Sequence, residues 1–131
     1  GQSELADALL GNLPVLSGRI SLDGRDLTGA TPKATIAAGL GFVPEDRQHD
    51  GFIGSFSIAE NLVLNRFDAP PFASGLSLNL KAINDNANRL RDEFDIRTPD
   101  VQNVGSSLSG GNAQKVVLAR ELSRELALLV A

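Results

Sequence analysis

One stretch constrains this chain more than any other: Leu108-Ser109-Gly110-Gly111-Asn112-Ala113-Gln114-Lys115-Val116-Val117-Leu118-Ala119-Arg120. A serine and two glycines open a segment in which Val116, Val117, Ala119 and Leu122 are apolar, and the spacing predicts a helix over Gly111 to Leu122. Glycine lets backbone N–H groups approach an anion with no Cβ in the way. The first turn of a helix carries N–H donors without intrahelical partners and a partial positive charge. With the Ser109 hydroxyl added, these groups make a phosphate site. Taken alone, Ser-Gly-Gly reads as no more than an N-cap and a turn.

The pattern around that helix is mixed. Gly1-Gln2-Ser3-Glu4 leads into Leu5, Ala6, Ala8, Leu9 and Leu10, so Ser3 is expected to cap a short helix that Gly11 ends. Ile20 and Leu22 alternate with polar residues before Asp23-Gly24, which predicts a hairpin with strands near 18–22 and 25–28. Thr31-Pro32 opens a short helix to about Ala38. Leu40 to Pro44 reads as a buried strand, and Ser57-Ile58-Ala59-Glu60 is a capping box. Pro70, Pro71 and Gly75 make 68–77 a break. Leu80, Ile83, Ala87, Leu90 and Phe94 fall on one face of a longer helix. Ala127 to Ala131 reads as a second buried strand. The fold class is α/β with a helical insertion.

Composition removes several chemistries. The chain of 131 residues has no cysteine, so it forms no disulfide, thiolate metal site or Cys nucleophile. Its one histidine, His49, excludes a His-rich metal cage and reads as an exposed loop residue. A net charge of −4 argues against a large basic nucleic-acid surface. No apolar run approaches the roughly 20 residues that a membrane span needs.

The string from Leu108 to Arg120 resembles the signature motif of ATP-binding-cassette (ABC) ATPases. An apolar run, Leu126 to Ala131, follows at the spacing of their Walker B strand. Gly1-Gln2-Ser3 is similar to the last three positions of a phosphate-binding loop of the G-x-x-x-x-G-K-[ST] kind. The Asp23-Gly24 hairpin resembles the family's antiparallel subdomain, and Leu40 to Glu45 the strand that ends at its Q-loop. The resemblance implies a partial P-loop NTPase core, 1–45 with 115–131, interrupted by a helical subdomain over 46–114. Val43-Pro44-Glu45-Asp46-Arg47, Gly51 and Ser57 to Leu62 resemble the second cassette of bacterial importers for simple sugars and nucleosides. Asn61 to Phe72 and Phe94-Asp95-Ile96-Arg97-Thr98-Pro99 lean toward the nucleoside branch.

What the resemblance implies can be set out residue by residue. Ser109, Gly110 and Gly111 would serve the γ-phosphate of ATP bound by a partner cassette. Gly1, Gln2 and Ser3 would be the remnant of this cassette's own ATP site. Gln2 stands where the family has lysine, so a cation on the phosphates is lost. Ser3 and Glu45 would be the oxygen ligands left for Mg²⁺, with Glu45 where most cassettes carry glutamine. Phe52, Ile53 and Phe56 are either core or part of the groove that receives a permease helix. The implied partners are a second cassette, transmembrane permease subunits and, indirectly, a solute-binding protein, at the cytoplasmic face of the membrane.

Two other readings compete. DNA-repair and chromosome ATPases share the signature but insert long coiled coils or zinc modules, whereas only 62 residues separate Glu45 from Leu108 here. Alternatively, the chain is a fragment acting as an interaction module. It has no methionine and stops on an apolar run. It lacks most of the phosphate-binding loop and the Walker B carboxylates, so alone it is expected to be inactive. In the fold that the resemblance implies, the strand near 127–131 lies beside that near 40–44, leaving an open edge expected to pair with other copies.

Overall fold

The computed structural model describes residues 1–46 and 51–131. The reading of His49 lies outside the described residues. The chain divides into two units, Gly1–Val43 with Glu125–Ala131, and Pro44–Arg124. The helix that carries the signature string falls wholly in the second unit, whereas the sequence reading grouped 115–131 with the core.

In the first unit, helix α1 runs Gln2–Leu10. Gly1 occupies its N-cap, so Ser3 lies within the first turn and does not cap it. Gly11 ends α1 in the left-handed region at φ 81°. Its N–H donates to the Ala8 carbonyl, and that of Asn12 to the Asp7 carbonyl, as a Schellman ending requires. Strands β1 (Ser21–Leu22) and β2 (Arg25–Asp26) pair antiparallel with Leu22 opposite Arg25. Asp23 and Gly24 both take positive φ, which is the turn that Asp-Gly favours.

Helix α2 (Pro32–Ala37) starts at Thr31, whose hydroxyl oxygen accepts from the Ala34 N–H. The buried Thr35 hydroxyl is shared between the carbonyls of Leu10, 3.2 Å, and Pro32, 2.9 Å. It thereby meets one of the carbonyls that the end of α1 leaves open. Strand β3 (Leu40–Phe42) pairs parallel with β6 (Leu128–Val130), Leu40 opposite Leu128. The adjacency is as expected, but the burial is not. Leu128 is 40% exposed and Leu129 38%, because β6 has β3 on one edge and no strand on the other among the described residues.

The second unit is mainly helical. Helix α3 (Ile58–Leu62) carries the expected capping box: Ser57 N–H donates to Glu60 Oε2, 2.7 Å, and Glu60 N–H to Ser57 Oγ, 3.0 Å. The next N–H groups of α3 donate to the loop carbonyls of Asn103 and Val101. Residues 68–77 hold more than a break. Strands β4 (Ala73–Ser74) and β5 (Ser77–Leu78) form a small hairpin turned by Gly75 at φ 61°. Helix α4 (Leu80–Glu93) is capped by Asn79 and buries Ile83, Ala87 and Leu90, while Leu80 is exposed.

A 3₁₀ turn at Gly105–Ser107 precedes helix α5, Gly110–Leu122. Helix α3 packs on both α4 and α5. Ile58, Leu62, Val63, Leu90, Val116 and Val117 are the largest wholly buried apolar side chains among the described residues. Helix α5 also buries Arg120 and Glu121. This is why its sequence lacks a clean apolar stripe. No helix among the described residues is long and apolar enough to cross a membrane.

Candidate phosphate-binding site

Helix α5 begins where the sequence places its anion-binding groups. Ser109 is the N-cap, in extended backbone at φ −65°, ψ 159°. Gly110 and Gly111 form the first helical positions, and all three residues are exposed. A Cβ built on either glycine meets nothing within 4 Å among the described residues. Neither glycine has a φ in the left-handed region. Folding of this chain therefore requires glycine at neither position. What the pair provides is bare backbone at the positive end of a helix of 13 residues.

The Ser109 side chain is held from one side. The Asn112 N–H donates to Ser109 Oγ at 3.3 Å, and Asn112 Nδ2 does so at 3.0 Å. Asn112 Oδ1 accepts from the Arg97 N–H at 2.9 Å. Lys115, one turn further along α5, donates through Nζ to the Asp95 carbonyl at 2.8 Å. The loop that supports Asn112 is thus tied to the same helix. The sequence reading did not single out Asn112; its position three residues after a serine N-cap was the available signal.

The other expected site residues are also exposed. Gly1, Gln2 and Ser3 open α1 in the first unit, and Glu45 follows β3 in the second. Among the described residues, no group of three or more His, Cys, Asp or Glu side chains could hold a metal ion. The apolar residues after Gly51 separate clearly. Phe52 is buried, and its ring would lie 2.5 Å from a Cβ on Gly105, whereas Ile53 and Phe56 face outward.

Beneath that loop lies a polar network that sequence reasoning did not find. Asn61 is fully buried. Its Oδ1 accepts from the Ile53 N–H at 2.8 Å, and its Nδ2 donates to the Ile53 carbonyl at 2.9 Å. Arg120 Nη1 donates to the Asn61 carbonyl at 3.2 Å, and Arg120 Nε to Glu121 Oε1 at 3.3 Å. Burial lowers the Arg120 pKa from the ordinary arginine value, and the Glu121 carboxylate opposes that shift. Glu121 also accepts from Asn65 and Arg124. The charged cluster therefore ties α5 to α3 and to the segment after it, while the Asn61 side chain holds the backbone of Ile53.

A parallel strand pair, an antiparallel hairpin, and a helical unit whose last helix opens at Ser-Gly-Gly define part of a P-loop nucleotide-binding cassette. The chain belongs to the ABC transporter family, whose profile matches residues 1–131. It is 43% identical, over 133 aligned positions, to the glucose import ATP-binding protein TsgD13 of Haloferax volcanii, covering 100% of this chain and 24% of that one. It is 40% identical to the nucleoside import ATP-binding protein NupA of Lactococcus lactis subsp. cremoris, covering 99% and 26%. The guanosine import ATP-binding protein NupO of Bacillus subtilis is 37% identical, with 100% and 26% covered. The chain thus spans about a quarter of the length of these relatives.

Among solved structures, the dimeric ATP-binding cassette MJ0796, in a post-hydrolysis state with ADP and Pi, superposes with a TM-score of 0.69. Identity is 17%, with 94% of this chain and 51% of that chain covered, so this likeness speaks for the fold. A bacterial Atm1-family ABC exporter with ATP bound gives 0.59 at 27% identity, covering 98% of this chain and 21% of that one.

Proposed function

We propose that this chain is part of the second ATP-binding cassette of an importer subunit, serving uptake of a simple sugar or a nucleoside. Ser109, Gly110 and Gly111 serve the γ-phosphate of ATP seated on a partner cassette. The observation that carries this reading is the open first turn of α5. Two glycines there have no packing role among the described residues, beside a serine whose oxygen is already held. The relatives' import functions support the solute class. ATP bound at this turn would place its negative charge against backbone donors and the helix dipole.

The site at Gly1, Gln2 and Ser3 is the weaker one. Glutamine at residue 2 offers a neutral donor in place of a cation, so this site binds nucleotide but turns it over slowly. The exposed Ser3 hydroxyl and the exposed Glu45 carboxylate are each an oxygen donor of the kind Mg²⁺ accepts. Ile53 and Phe56 are the apolar side chains offered to a transmembrane permease subunit. The parent works at the cytoplasmic face of the membrane, with a solute-binding protein feeding the permease.

The test is Gly110→Asp in the full-length protein assembled with its permease. Nothing lies near the new side chain, and an aspartate suits the first turn of a helix, so the variant keeps its fold. Its charge repels phosphate and its bulk blocks approach. ATP turnover is expected to fall by at least about a hundredfold. Unchanged turnover in well-folded protein rejects the proposal.

A further inference from the structure

We propose that Asn112 is a positioning residue that turns the Ser109 hydroxyl into a pure hydrogen-bond donor toward the phosphate. The inference rests on the role proposed above for Ser109 and adds the group that sets its polarity.

The argument begins with the Asn112 amide. A backbone N–H can only donate, so the atom facing the Arg97 N–H at 2.9 Å is the oxygen Oδ1. The other end of the amide, Nδ2, is then the one 3.0 Å from Ser109 Oγ, and it can only donate. The Asn112 backbone N–H donates to the same oxygen at 3.3 Å. A hydroxyl oxygen has two acceptor sites and one proton. Both acceptor sites are taken from the helix side. The proton is left to point away from Asn112, toward the exposed side of Ser109.

A hydroxyl in that state suits an oxygen that accepts, as every ionised phosphoryl oxygen does. It no longer offers a lone pair to a ligand that donates. The arrangement also differs from an ordinary capping box, in which the third helical residue accepts from the backbone of the cap. Here that residue donates to the side chain of the cap and spends its acceptor on a different loop. Lys115 holds that loop through the Asp95 carbonyl at 2.8 Å, so the amide has little freedom to flip.

The experiment is a double-mutant cycle on ATP turnover by the full-length protein assembled with its permease. Ser109→Ala should lower kcat by roughly tenfold or more. Asn112→Ala should lower kcat several-fold with KM for ATP nearly unchanged, and should cause no further loss in the Ser109→Ala background. Equal losses from Asn112→Ala with and without the Ser109 hydroxyl overturn the positioning role alone. No loss from Ser109→Ala overturns it together with the function on which it rests.

Asn112→Asp guards against a folding artefact, because it keeps an acceptor for the Arg97 N–H. Its second oxygen would capture the Ser109 proton, reversing the hydroxyl and adding charge beside the phosphate. Turnover below that of Asn112→Ala is expected. Turnover at the unsubstituted level overturns the inference.

Discussion

Gly11 answers to two demands at once. It closes α1 in the left-handed region, where side chains are strained. A Cβ there would also stand 2.3 Å from the Ala30 carbonyl oxygen. Gly11→Ala is therefore expected to lower stability by about 2 kcal/mol or more, since strain and overlap add. Urea unfolding compared with the unsubstituted chain measures this, and a loss near zero would mean that the loop at Ala30 yields freely. Only the first demand was legible in the sequence, where a glycine follows a helical run. The second depends on which carbonyl the fold brings alongside. Asn112 was hidden for the same reason: its meaning lies in the N–H of Arg97, fifteen positions away.

Elements with strong local chemistry were legible: the Asp23-Gly24 hairpin, the Ser57 capping box, the Thr31-Pro32 start and the helix after Ser109. Each is fixed by contacts within a few residues. The β4–β5 hairpin was missed because its strands hold two residues each and lie among prolines that signal a break. The buried polar network was missed because Asn61, Arg120 and Glu121 look like surface residues of helices. Asn61 is in fact the clamp between α3 and the segment at Ile53. Asn61→Ala would leave the Ile53 N–H and carbonyl without that partner, at a cost of about 2–3 kcal/mol. Hydrogen exchange should then rise first at the Ile53 amide. Protection unchanged there would show that another group takes over the clamp.

Among the described residues, β3 and β6 form a parallel pair with no third strand. β6 carries exposed Leu128 and Leu129 beside an unpaired edge. Edges of this kind template pairing with another chain. The 131-residue chain alone is expected to self-associate, with the sedimentation coefficient rising with concentration, and Leu129→Lys should suppress the rise. A monomer at every concentration would count against pairing through β6. The apolar run over 127–131 was read as a buried strand. Its pairing with β3 followed from the family resemblance, but its burial did not, because burial depends on what covers the strand.

The empty space around Gly110 and Gly111 has a consequence for how this protein tolerates change. Glycine in a helix is worse than alanine by up to about 1 kcal/mol, and less in the first turn. Folding alone would therefore favour replacing both. A screen that reads solubility or melting would pass such changes, some of them as improvements. Were the proposed phosphate role no longer needed, nothing in the packing around these glycines would hold them in place. Optimising the chain for robustness would erase the bare backbone on which the proposed phosphate role depends.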